Sequence, residues 1–380
     1  MASHGNASQS TSDATTDVTS DADAGPAGVV LGEDPTALER FIAHQVEPRA
    51  EELREVSQVP GHLALLRHEL ARRSVSVRDV GEKNSVLLFG GVVVGGMDHT
   101  MTTLVSANAR RISRNKALTR RHLELQELPV PAGRTFREDE ITEAAKYLGS
   151  LPGMGVLKPV TGRSGHGIST HLSNADDLQR AWPLALEARL TQDAPSRKLL
   201  VELFHDGLDL RAFVVGDKLI SAIVRVPLYV VGDGSSELRT VLERTFSRRQ
   251  RHRSLAENIP EVRGEDLHPM GLSLSTILEE GQLVILNQAA NLRAGGIPVD
   301  VTDQLSEEIA DLAVDALWSI PGLHAAGIDL LVPDLGTTEG AVVLEATVGA
   351  SLTPHHFPAY GRPRNVAGAI AEQILLTASR

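Results

Sequence analysis

The chain has 380 residues, no cysteine and a formal net charge of −12. That length allows one large domain or two to three smaller ones with ample core. The missing cysteines exclude disulfides, thiolate metal sites and a cysteine nucleophile. No apolar run reaches about 18 residues, and no basic start leads into an apolar segment, so neither a membrane span nor a secretion signal is expected and the cytoplasm is the default. The acidic balance argues against general nucleic-acid binding. Seven of the acids fall in the first 39 residues, which hold no Lys or Arg, so a mildly acidic body can still carry a basic anion pocket. Lysine occurs only at 83, 116, 146, 158, 198 and 218.

Residues 1–26 are Ser, Thr, Asp, Ala and Gly with little to bury, and read as a disordered tail. Apolar spacing predicts helices over Pro35–Leu53 and Gly61–Leu70. A short buried strand, Ser85–Phe89, breaks at Gly90-Gly91 and resumes at Val92. A helix over Arg114–Leu125 ends before Pro129, and 27–128 reads as a small α/β unit. Leu128–Phe136 is an extended crossing with two prolines. Helices are expected over Asp139–Leu148 and from the Ser173-Asn174 cap to about Leu190. Strands are expected over Leu199–Phe204, Asp209–Val215, Lys218–Val226 and Leu228–Val231. Gly216-Asp217 suits a two-residue hairpin turn. The arginines between 239 and 253 form either a solvated basic face or an anion-facing loop. Asn287–Asp303 reads as a glycine-bearing loop, followed by a helix over Glu307–Trp318, a final hairpin and a closing helix over Val366–Leu376. Trp182 and Trp318, at helical spacing, read as core.

Two stretches carry chemistry. Val156-Leu-Lys-Pro-Val160 and Ile168–Leu172 are strands around a loop with glycines at 162, 165 and 167, whose backbone N–H groups can approach an anion closely. Lys158 adds a charge at the strand end. No Gly-Lys-Ser/Thr closes this loop and a strand follows it, which excludes a Walker motif and a dinucleotide fingerprint. A plain hairpin turn is the other reading. In the final hairpin, Ala326–Val332 and Ala341–Thr347 flank Pro333–Gly340. A turn centred there pairs Asp329 with Leu344, one place from Glu345. A one-residue shift of register or a bulge would bring both carboxylates to one face. Two acids inside apolar strands require either a divalent cation with oxygen ligands or salt bridges to arginine.

The order of these segments resembles the ATP-grasp superfamily, closest to the ATP-grasp domain of cyanophycin synthetase and of bifunctional glutathione synthetases. The segments that carry the resemblance are Asn115-Lys-Ala-Leu-Thr-Arg120, Val201-Glu-Leu-Phe-His-Asp-Gly-Leu-Asp-Leu-Arg211, Val230-Val-Gly-Asp-Gly234 and Ala290–Asp303. It covers roughly residues 100–375. It implies an α/β (α+β) fold with the nucleotide between two α+β subdomains, 114–204 with the glycine loop and 205–380 with the metal and acceptor site. A small α/β domain, 27–113, precedes them. It also implies ATP and Mg²⁺ (or Mn²⁺) as cofactors. Lys116 and Lys158 would contact phosphates, with Gly162, Ser164, Gly165, His166 and Gly167 as the lid over them. Glu202, Leu203 and Phe204 would be the hinge against adenine, and Asp209 would accept from the ribose. Arg211, Arg225 and Asn291 would serve the transferred group. Asp329 and Glu345, with Thr347, would hold the metal.

The activity implied is an ADP-forming carboxylate–amine ligation through an acyl phosphate, on small-molecule substrates, without nucleic acid or membrane and with room for a homo-oligomer. The alternatives are a nucleotide-binding accessory protein and an ATP-grasp phosphotransferase. The sequence departs from the family pattern twice: Glu345-Ala346-Thr347 stands for Glu-x-Asn, and Asn291-Leu292-Arg293 for Asn-Leu-Ser. His355 and His356 either line the acceptor site or pack in a loop.

Overall fold

A computed structural model describes residues 28–162, 165–188, 197–287 and 289–378. The acidic tail, Ser164 of the glycine loop and the far end of the helix expected to reach Leu190 lie outside these residues. The first expected helix is an α-turn, Ala37–Phe41, which passes into a π-turn, Ile42–Val46, and a 3₁₀ turn, Glu47–Glu52. Thr36 and Glu39 close a capping box at its start.

Four antiparallel strands follow the helix His62–Arg72: β1 (Val75–Asp79), β2 (Asn84–Phe89), β3 (Val92–Asp98) and β4 (Met101–Thr102). Gly90 and Gly91 both have positive φ, 57° and 83°, as a two-residue turn between paired Phe89 and Val92 requires. Sequence reading missed β1. The helix expected over Arg114–Leu125 is Lys116–Leu125, capped by Asn115, and a further helix, Ala107–Ser113, precedes it unforeseen.

The next sheet contains β5 (Gly133–Arg137), β6 (Gly155–Pro159), β7 (Ser169–Leu172) and β8 (Lys198–Leu203), in the order β5-β8-β6-β7. Helices Ile141–Leu148 and Ala175–Glu187 cover one face around Phe136, Leu157 and Trp182. Trp182 is core as expected, and its indole donates to the Glu138 carbonyl at 3.1 Å.

The largest sheet begins with the hairpin β9 (Leu208–Val215) and β10 (Lys218–Val226). A two-stranded ribbon of β11 (Tyr229–Val231) and β12 (Leu283–Ile285) stands apart, packed on the helix Leu238–Arg249. Then come β13 (Ile297–Asp300), β14 (Ala325–Val332) and β15 (Val342–Thr347), giving the order β13-β10-β9-β14-β15. β13 corrects the loop expected over Asn287–Asp303. Gly295, Gly296 and Pro298 disguised it, and Pro298 is tolerated because β13 is an edge strand.

Strict alternation sorts this sheet. Leu210, Ala212, Val214, Ala222, Val224, Val226, Ala326, Ile328, Leu330 and Val332 share one core cluster with Ile309, Ala313, Ala316 and Leu317 of the helix Glu307–Trp318. Each fully buried aliphatic side chain there contributes about 1.5–3 kcal/mol. The opposite face is left with Asp209, Arg211, Arg225 and Asp329. Trp318 is 53% exposed and rests edge-on against His324, which corrects its assignment to the core. The closing helix, Val366–Ala378, packs with His62–Arg72 and the first sheet around Leu66, Leu87, Phe213 and Ile370.

Candidate active site

The charged face is built by one irregularity. Leu331 pairs with Val342 and Leu330 with Val343, but Asp329 pairs with Glu345, so Leu344 is the extra residue of a β-bulge. The bulge puts Asp329 and Glu345 opposite each other. Thr347, two residues on, pairs with Gly327 on the same face.

Asp329 is 2% exposed. Arg211 Nε and Nη2 each donate to one of its carboxylate oxygens at 2.7 Å, and Arg225 lies 3.6 Å away. Arg225 Nε also donates to Asp209 at 3.1 Å. Burial alone would push the Asp329 carboxyl up; the guanidiniums of Arg211 and Arg225 override it and hold the group well below the usual carboxylate range. Burial likewise works against the charge of Arg225, and Asp329 and Asp209 more than offset it. Asp329 thus takes the arginine bridges that were one of the two readings, while the bulge sets Glu345 opposite it.

The two lysines singled out in the sequence are both engaged. Lys116 opens its helix; its amide donates to the Val160 carbonyl at 2.9 Å, which ties it to the strand leading into the glycine loop. Its ammonium pairs with Glu345. Lys158 is 6% exposed and pairs with Glu202, itself 5% exposed. Val156 is the direct partner of Glu202 and Leu200 that of Lys158, so this pair is a diagonal across neighbouring strands. Arg120 approaches Glu202 at 3.8 Å.

Gly165 and Gly167 have φ of 75° and 71°, and a Cβ on Gly167 would sit 2.5 Å from that of Ala188. Close packing on the C-terminal end of the helix Ala175–Glu187 thus requires glycine at 167. His166 is exposed and Gly162 partly so. At the hinge, the amides of Leu203 and Phe204 donate to Ala132 and Met154 carbonyls at 2.7 and 2.8 Å. The Asn291 side chain accepts from the Ala294 amide at 3.1 Å, capping a 3₁₀ turn, so its oxygen is used locally. Arg293 is exposed.

Two histidines belong to this region: His355, which the sequence offered either for the acceptor site or for loop packing, and His171, which it did not single out. His355 is fully buried in the one-turn helix Thr353–His356, and its Nδ1 lies 2.7 Å from Ser221 Oγ. Burial, and then Arg211, pushes its imidazole down to about 3, so it is neutral. His171 sits in β7 with φ of 58°, its ring 4.2 Å from that of Phe204. A left-handed histidine inside a strand leaves no mark in the sequence.

Among the described residues no group of three or more His, Asp or Glu is arranged to hold a metal ion. Asp329 and Glu345 offer two hard carboxylates on one face, a set that suits Mg²⁺ completed by water and phosphate oxygens.

No protein-family model matches the chain. It is 28% identical over 364 residues to cyanophycin synthetase of Trichormus variabilis, which covers 92% of this chain and 39% of that protein. It is 31% identical over 256 residues to cyanophycin synthetase of Geminocystis herdmanii, covering 65% of this chain and 28% of that protein. The chain thus spans well under half the length of these relatives. A crystal structure of a bifunctional glutathione synthetase from Pasteurella multocida superimposes on 83% of this chain and 44% of its own, with a TM-score of 0.57 and 22% identity. These similarities agree with the ATP-grasp resemblance read from the sequence. No helix among the described residues is long and apolar enough to cross a membrane.

Proposed function

We propose that this protein is an ATP-dependent carboxylate–amine ligase of the ATP-grasp superfamily that releases ADP and phosphate, acting on an amino acid or small peptide. The observation that carries this reading is the Arg211–Asp329–Arg225 cluster on the face that also presents Glu345 and Lys116. In the reaction, a substrate carboxylate oxygen attacks the γ-phosphorus of ATP and ADP leaves. An amine then attacks the acyl carbon of the resulting acyl phosphate and phosphate departs. Asp329 fixes the plane of Arg211 and Asp209 that of Arg225, so their remaining N–H groups are preorganised for the charge that develops on the transferred group. Lys116 and Lys158 neutralise phosphate oxygens from the helix start and from β6. Asp329 and Glu345 would hold Mg²⁺, which supplies charge neutralisation for the phosphates. Relatives named for cyanophycin and glutathione biosynthesis support amide-bond formation.

The test is ADP release with a panel of amino acids and peptides, with hydroxylamine as a trapping amine. Amine-dependent ADP and a hydroxamate are expected. AMP and pyrophosphate would refute the reading. A stable phosphate ester would identify a phosphotransferase, and tight ATP binding without turnover an accessory protein; the use of Thr347 in place of asparagine is what favours the last.

A further inference from the structure

The arginines around the helix Leu238–Arg249 divide into two kinds. Arg244 pairs with Asp233, Arg251 with Glu51 and Arg253 with Glu257, all on the surface. Arg249 is different: it is 3% exposed and has no acidic partner among the ion pairs of the described residues. Its Nη1 donates to the Gly295 carbonyl at 2.5 Å, which anchors the group to the turn after Asn291. Its Nε and Nη2, both buried, donate to nothing. These two N–H groups are the same edge with which Arg211 grips both oxygens of Asp329. A buried guanidinium with that edge empty is costly, and a planar carboxylate is the group that matches its two parallel donors.

Arg249 lines a cavity of about 50 Å³, together with Arg248, Tyr229, Tyr360, Glu47 and Ala50. The hydroxyl of Tyr229 donates to Glu47 at 2.8 Å and that of Tyr360 to the Ala50 carbonyl at 3.2 Å, so both hydroxyl protons are already placed. Arg248 pairs with Glu51 at 3.6 Å and Glu47 accepts from Tyr229, so Arg249 is the charge in this lining without an ion-pair partner among the described residues. Burial pushes Arg249 down to about 10, so it still carries its charge near neutrality. The cavity is separate from the charged face of the sheet. Ile297, also in its lining, pairs with Val226 on the core face of β10, whereas the neighbouring Arg225 points to the opposite side.

We infer that this cavity is a second binding site, for a small carboxylate held by the free edge of Arg249. The inference does not depend on the ligase reading. The volume suits a ligand of acetate or glycine size, and the contributions from the segment 47–53 and the helix Leu238–Arg249 would make its occupancy clamp the N-terminal turns to the large sheet.

The experiment is thermal denaturation of the full chain against sodium acetate up to about 20 mM, with sodium chloride at matched ionic strength and inorganic phosphate as the second arm. A saturable rise of about 2 °C or more with acetate, and not with chloride or phosphate, is expected. Arg249→Lys keeps the charge but loses the two-donor edge and should lose the rise. Ala50→Leu fills the cavity without touching the arginine and should lose it too, which keeps the test decisive if Arg249→Lys fails to fold. No saturable acetate effect on the parent would overturn the inference and assign the free donors to water. A response to phosphate alone, or an undiminished acetate response in Ala50→Leu, would overturn it as well.

Discussion

Asp329→Asn removes one charge and leaves the side chain its shape. In the parent, both oxygens of a carboxylate that is 2% exposed accept from Arg211, and Arg225 stands 3.6 Å away. The amide can accept one of those bonds but must turn its NH₂ toward a guanidinium, and two largely buried cations lose their shared counter-charge. Breaking a buried pair from one side costs about 3–5 kcal/mol. At about 2–4 °C per kcal/mol for a cooperative unit of 150–250 residues, the melting temperature should fall by roughly 6–20 °C. Adding Arg211→Met should recover part of the loss, because it removes one stranded cation. The pH dependence has a definite sign. The folded Asp329 carboxyl lies below its ordinary value of 3.8, so its contribution is fully present above that pH and fades as pH falls below it. The gap between parent and variant should be level from pH 8 to about 5 and narrow below about 4. Calorimetry across that range checks it. A variant melting within about 1 °C of the parent at pH 7 would refute the reasoning.

Lys158→Ala should weaken ATP binding about tenfold or more relative to Lys146→Ala, read by calorimetric titration; equal affinities would end the phosphate assignment. Glu345→Gln should nearly abolish Mg²⁺-dependent ADP formation, whereas Thr347→Asn should keep activity and lower the Mg²⁺ needed for half-maximal rate; turnover by Glu345→Gln like that of the parent would make Glu345 a structural acid. Gly167→Ala should reduce stability by about 1–3 kcal/mol through its left-handed backbone and the clash with Ala188, measured by chemical denaturation.

Local signals placed most elements because they are written in adjacent residues. The Ser306 cap and the spacing of Ile309, Ala313 and Leu317 give the helix Glu307–Trp318 its observed ends. The final hairpin shows how far alternation reaches. Its pairing from Leu331 to Leu330 follows from counting around the turn, and only the energetic need to gather two acids pointed to the extra residue at Leu344. The Lys158–Glu202 pair was out of reach, since β6 and β8 become neighbours across residues 160–197, and sequence does not say which strands pair over such a distance. β13 was hidden because proline and two glycines argue against a strand unless its edge position is known. Arg249 looked like its surface neighbours, for periodicity on a helix of mixed polarity does not reveal which arginine turns inward. The boundary expected after residue 113 also blurs: the first sheet shares its apolar cluster with the closing helix, and burial of that kind is invisible until both ends of the chain are in place.

The ion pair between Lys116 and Glu345 has a thermodynamic consequence. If the lysine serves phosphate and the glutamate serves the cation, each group is silenced by the other at rest, and one separation frees both. Whichever ligand arrives first bears the cost of that separation, and the second finds its group already released. Nucleotide and metal must then raise each other's affinity by the same factor, in addition to any chelation between them in solution. Replacing either residue by a neutral one should erase this reciprocity while leaving the other ligand's own contacts in place, so a protein resting in charge balance is also one wired to respond to the pair rather than to either ligand alone.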